Sequence, residues 1–221
     1  MQYLVQMKIV AQARPASLEA EAALFNEQSD RPHERTERKK VMSKEVRKTA
    51  IPHEVVRLDV AVHQTYDKFC QRFEGAVPMW NRARAVELVE RKAPWSEVVA
   101  DVTASAPHDF LLYWKMDVTP IMNLAGNTGR STEYLIGNHV IAETMYRHDP
   151  SVALYVPLRC AIYEADGGAR FAIDQPSTTL SSLGRDEITQ VGIDLDRKLA
   201  RLLGALGVEV PAVLSPSQMA A

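Results

Sequence analysis

The stretch Leu154 to Glu164, the turn Ala165-Asp166-Gly167-Gly168 and the run Ala169 to Asp174 together constrain this chain more than any other part of it. Aspartate and glycine tolerate the positive backbone angles of a tight turn, and the flanking runs are rich in apolar, aromatic and β-branched residues. They predict an antiparallel hairpin. Just before it, Thr132 to Ile136 reads as a strand, Gly137-Asn138 as a turn, and His139 to His148 as an amphipathic helix.

The remaining periodic segments extend that hairpin into a domain. Glu54 to Val62 alternates as a strand, and Thr65 is placed to cap a helix, Tyr66 to Phe73, with Tyr66, Phe69, Cys70 and Phe73 on one side. Two helices follow, Asn81 to Arg91 and a second capped by Ser96 and running to Ala104, with Pro94 as the break between them. His108 to Asp117 predicts a central strand whose apolar face carries Phe110, Leu112, Trp114 and Met116. Asp186 to Leu206 predicts a long helix with Ile188, Val191, Leu195, Leu199, Leu202 and Leu206 in register, closed by Gly207. The expected fold is α+β, with a mixed, largely antiparallel sheet, flanking helices and a long C-terminal helix.

Residues 1–28 read as a short βα segment, too small to build its own core. Residues 29–50 read as a charged linker, because Ser29 to Lys48 holds 8 basic and 4 acidic residues and almost nothing to bury. The domain itself is expected over 51–210, and 211–221 as a disordered tail. Across all 221 residues, 46% are apolar and 24% charged, as in a globular protein, and the formal charge of -2 offers no general attraction to nucleic acid or anionic membrane. No apolar run approaches the roughly 20 residues of a bilayer span, and the opening lacks a signal peptide's apolar block. No nucleic-acid and no membrane partner is expected, and the expected location is cytoplasmic. Cys70 and Cys160 lie in apolar segments without a C-x-x-C partner and read as reduced buried thiols.

Gly137-Asn138, Asp149-Pro150, Leu154 to Arg159, Tyr163-Glu164 and Asp166-Gly167-Gly168, in that order, resemble the bacterial family called domain of unknown function 302 over residues 51–176. The resemblance implies a compact α+β domain, often a homodimer, and implies no reaction. Trp80 to Ser105, Asn127 to Ser131 and the long C-terminal helix depart from that pattern. Separately, MQYLVQMK with Arg14-Pro15 resembles the start of muconolactone isomerase-like proteins of the dimeric α+β barrel kind, but the likeness ends near Gln28 and carries no activity over.

The chemistry is less legible. His139 and Glu143 stand i, i+4 on one helix, with Arg147 a turn further on, so a general base oriented by a carboxylate beside an anion-binding guanidinium is one reading. A solvated stripe of surface ion pairs is the other. Arg159 interrupts an apolar strand next to Tyr163 and Glu164, and either holds a ligand carboxylate or lies on the sheet face. Asn138 is placed as a helix cap, and Tyr134 and Trp114 as walls of an aromatic-lined pocket. A helical H-x-x-x-E pair supplies at most two metal ligands, so no metal site is predicted. Gly126 to Thr132 lacks the spacing of a phosphate loop. The expected function is binding or modification of a small organic acid or apolar compound. The alternatives are a non-catalytic homo-oligomeric module joined through the helix at 186–206, and a protein binding haem or another cofactor, whose identity stays unknown. Catalysis itself stays open.

Overall fold

The computed structural model describes residues 50–214; the expected βα segment at 1–28, nearly all of the charged linker and the end of the tail lie outside the described residues. Five strands form one antiparallel sheet: β1 (Arg57–Val62), β2 (Leu111–Asp117), β3 (Ser131–Gly137), β4 (Leu158–Ala165) and β5 (Gly168–Asp174). Their order across the sheet is β1-β5-β4-β3-β2. The expected hairpin is present as β4–β5, with Asp166 and Gly167 both at positive φ. β1 pairs antiparallel with β5, so the first strand closes the edge beside the last. The domain is α+β, and its parallel pairing is confined to one bridge, Met79 to Leu112.

Register puts one face of the sheet in the core. Leu58, Val62, Tyr134, Ile136, Cys160, Ile162, Phe171 and Ile173 are all buried on it. Two helices cover this face. α1 (Tyr66–Ala76) contributes Tyr66, Phe69 and Phe73, and α7 (Asp186–Ala205) contributes Ile188, Leu195, Leu199, Leu202 and Leu203. Burying each such side chain stabilises the fold by about 1.5–3 kcal/mol. The apolar stripe of α7 is thereby buried inside the domain. The opposite sheet face carries Asp59, Glu133, Arg159, Tyr163 and Arg170, none of them buried.

Between these lie α2 (Arg82–Glu90), α3 (Trp95–Ser105), α4 (Thr119–Asn123), α5 (His139–Tyr146) and α6 (Pro176–Leu180). Several boundaries differ from the sequence reading. Ser96 is inside α3 and Pro94 holds the cap position in extended conformation, with no side-chain cap bond. β4 begins only at Leu158, because Pro157 has no N–H for the ladder and residues Pro150–Leu154 form a 3-10 turn instead. Residues Ala212–Leu214 form a further 3-10 turn with Leu214 fully buried, so they belong to the domain and not to a tail.

The largest departure is in β2. The register slips between Leu112 and Trp114, so Tyr113 is an extra residue, a β-bulge. A one-residue insertion turns every later side chain to the other face. Lys115 therefore faces α1, where its Nζ meets both oxygens of Glu74 at 2.7 and 2.8 Å. Trp114 and Met116 emerge on the outer face at 39% and 37% exposure, and β2 is an edge strand, not a central one.

Candidate functional site

Tyr113, the bulge residue beside Trp114, also lines a cavity of the domain. β3 ends at Gly137, where a Cβ would stand in ordinary van der Waals contact with Pro157 at 3.4 Å and the Tyr113 ring at 3.5 Å, so three elements meet closely at this position. Asn138 follows in extended conformation and caps α5, its Oδ1 accepting from the N–H groups of Val140 and Ile141 at 3.0 and 3.2 Å. Its Nδ2 donates to the Asp109 carbonyl. His139 is thus the first residue of a helix whose start is fixed on both sides.

A cavity of about 190 Å³ lies between α5, the start of β4 and α7. Its walls are Ile141, Ala142, Met145, Val156, Pro157 and Leu195, with Tyr113, Asn138 and His139 as the polar side chains. Among the described residues no charged side chain lines it apart from whatever charge His139 takes up. The Tyr113 hydroxyl is 2.7 Å from His139 Nδ1 and accepts from the His139 backbone N–H at 3.1 Å. Trp80 stands over the pair, with its ring 5.0 Å from Tyr113 and 6.2 Å from His139. Trp80 is held there by two backbone bonds of 2.9 Å, from its own N–H to Leu112 and from Leu112 back to Pro78.

Burial pushes the His139 imidazolium below its ordinary range, partly opposed by the nearby charge of Asp101. Burial likewise pushes the Tyr113 phenol up to about 12. Both groups are held neutral at physiological pH. The site can therefore offer hydrogen bonds and apolar contact, but no fixed charge.

The residues singled out from sequence divide accordingly. His139 and Asn138 line the cavity. Glu143 does not orient His139, because Arg147 takes its carboxylate with Nε at 3.1 Å and with a second contact from Nη2. The i, i+4 spacing fits either partner, and the ion pair wins. Arg159 is 78% exposed on the outer sheet face, 3.1 Å from Glu133, and Tyr163 on that same face donates to Asp59 at 2.7 Å. Tyr134 is buried, but on the core side under α1, where it donates to Glu74 at 3.0 Å. Trp114 is on the outer face and lines no part of this cavity. Tyr113 and Trp80 are the partners that sequence reading missed. Only a bulge brings Tyr113 to His139, and no residue pattern announces one in a seven-residue strand.

Among the described residues no group of three or more histidine, cysteine, aspartate or glutamate side chains could hold a metal ion. Cys70 and Cys160 are both free thiols, and burial pushes both up. Among the described residues, no helix is long and apolar enough to cross a membrane.

Comparison with known proteins yields a family. No curated protein matches the chain. A crystal structure of an uncharacterized conserved DUF302 protein from Bacillus stearothermophilus is similar at 14% identity and a TM-score of 0.47, covering 68% of this chain and 95% of that one. The family model "Domain of unknown function DUF302" matches residues 88–206. That span differs from the 51–176 read from sequence. It leaves out β1 and α1 and takes in α3 and α7, two elements set down above as departures from the family pattern. It also contains Tyr113, His139 and every other side chain named in the cavity wall. The chain belongs to the DUF302 family.

Proposed function

We propose that this protein binds a small, uncharged, mostly apolar molecule in the cavity between α5, β4 and α7. The observation that carries this reading is the lining: aliphatic side chains on most sides and one half-buried hydrogen-bonding pair, Tyr113 and His139. Cavities of this kind, with a few placed polar groups, suit small ligands. An apolar cavity of about 150 Å³ holds benzene, so a molecule of one or two rings sets the scale here. An organic acid fits less well, since Arg147 and Arg159 lie elsewhere and are paired with Glu143 and Glu133.

Ligand-observed saturation-transfer spectra with benzene and naphthalene test the proposal on wild type and on Ala142→Phe, which fills the cavity from α5. Binding to wild type that is lost in the variant supports it. No binding to wild type, or binding that survives the filled cavity, removes it.

A second reading, a homodimer, is favoured by the outer sheet face. That face pairs its own charges, Arg57 with Asp174, Arg159 with Glu133 and Arg170 with Asp59, and leaves Trp114 and Met116 exposed beside them. Such a surface associates without leaving unpaired charge. Sedimentation of wild type against Trp114→Glu tests it: a dimer that the substitution dissociates is expected, and a wild-type monomer ends it.

A further inference from the structure

We infer that the cavity selects neutral ligands carrying a hydrogen-bond acceptor, such as a ketone, ester or ether oxygen, because Tyr113 fixes His139 as a donor. This rests on the binding reading above and narrows it to a ligand class.

The argument is one of proton placement. A backbone N–H can only donate, so the contact at 3.1 Å makes the Tyr113 oxygen an acceptor from His139 N. The Tyr113 proton then needs an acceptor of its own. Among the described residues the one available is His139 Nδ1, at 2.7 Å. The reverse arrangement, with Nδ1–H donating to the same oxygen, leaves a half-buried hydroxyl proton with nothing to meet, which is costly. In a neutral imidazole an accepting Nδ1 means a protonated Nε2. Nε2–H has no partner among the described residues.

The other polar side chain of the wall offers a ligand no acceptor. Asn138 has its oxygen committed to two N–H groups of α5 and one of its two amide hydrogens committed to the Asp109 carbonyl. What His139 and the wall hold out to a ligand is therefore a proton. A carboxylate is disfavoured, since it would enter an apolar space without a cation. A pure hydrocarbon binds through apolar contact alone and gains no bond from Nε2–H. Burial supports the neutral state of the ring. Tyr113 acts through His139 and is a positioning residue, not a contact that chooses the ligand by itself.

Two measurements on the full chain test this. Long-range proton–nitrogen correlation spectra of the imidazoles, with the His139 signal assigned by its loss in His139→Gln, report the tautomer without any ligand. An Nε2–H ring in wild type is expected, giving way to mixed tautomers in Tyr113→Phe. An Nδ1–H ring in wild type overturns the inference while leaving the binding reading untouched. The second measurement is titration with acetophenone and with α-methylstyrene, which differ only by C=O against C=CH2. One hydrogen bond predicts that acetophenone binds about tenfold more tightly, with the gap narrowed in Tyr113→Phe. Equal binding of both, abolished by Ala142→Phe, overturns the selectivity and keeps the site. Binding of neither overturns the site and the inference with it. The wild-type pair decides the matter even where Tyr113→Phe folds poorly.

Discussion

Asp196, buried on α7, accepts hydrogen bonds from both the backbone N–H and the hydroxyl of Ser177, at 3.0 and 2.6 Å. Gln175 adds a third bond at 2.6 Å. One carboxylate thus ties the first turn of α6 to the middle of α7. Asp196→Ala leaves three donors facing a void, and a loss of about 2–4 kcal/mol in urea unfolding is expected.

The same carboxyl carries a pH signature. Burial raises it above the usual range, against the pull of the Ser177 and Gln175 hydrogen bonds. The folded state then binds this proton more tightly than the unfolded chain. Its contribution to stability is complete below the unfolded value of about 3.9 and is lost as pH rises through the folded one. Asp196→Asn removes that component, so the difference in unfolding free energy between wild type and variant varies with pH only across this acid window. Urea midpoints of both proteins over an acid pH series measure it.

Gly192 and Gly204 lie on the same helix and predict opposite outcomes. A Cβ on Gly192 would stand 2.9 Å from the Ser177 backbone and 3.3 Å from Leu180, whereas one on Gly204 meets nothing within 4 Å. Gly192→Ala is expected to cost about 1–3 kcal/mol by forcing α6 and α7 apart. Gly204→Ala is expected to gain up to about 1 kcal/mol from helix propensity alone. Thermal unfolding of the two variants checks the sign of each.

His139 titrates below its ordinary range through burial, with Asp101 opposing. Stability tied to this ring is present above the unfolded value and is lost as pH falls through the folded one. Asp101→Asn removes the opposing charge, so the imidazole titration seen by NMR moves to lower pH still. A shift to higher pH contradicts the assignment of Asp101 as the opposing charge.

Glu74 accepts from Lys115 through both oxygens and from Tyr134 at 3.0 Å. Glu74→Ala strands the buried Tyr134 hydroxyl and is expected to cost about 1–3 kcal/mol, and Tyr134→Phe about 1 kcal/mol, since Glu74 keeps Lys115. The double variant falls short of the sum, because the second change removes a group already left without its partner. Denaturant unfolding of the three proteins gives the coupling.

What the sequence disclosed and what it withheld follow from range. The β4–β5 hairpin, the cap at Asn138 and the apolar stripe of α7 are written in residues a few positions apart, where turn chemistry and helical period act directly. The side of β2 on which Trp114 falls depends on one extra residue at Tyr113, and alternation alone cannot register it. Glu143 had two partners at equally good spacing, His139 and Arg147, and only the fold decides between a half-buried imidazole and an exposed guanidinium. The cavity joins Tyr113, His139, Pro157 and Leu195, which are far apart along the chain, and contacts of that kind have no local spelling.

The bridge from Met79 to Leu112 has one more effect, on the outside of the molecule. β2 is an edge strand, and a bare edge invites foreign strands to add to it. Here the N–H and the carbonyl of Leu112 are both occupied by residues 78 and 80, and the bulge begins at the next residue. A strand arriving from another molecule finds the first rung taken and the backbone beyond it bent out of line. The short segment before α2 works as a doorstop against edge-to-edge aggregation, while holding Trp80 over the Tyr113–His139 pair.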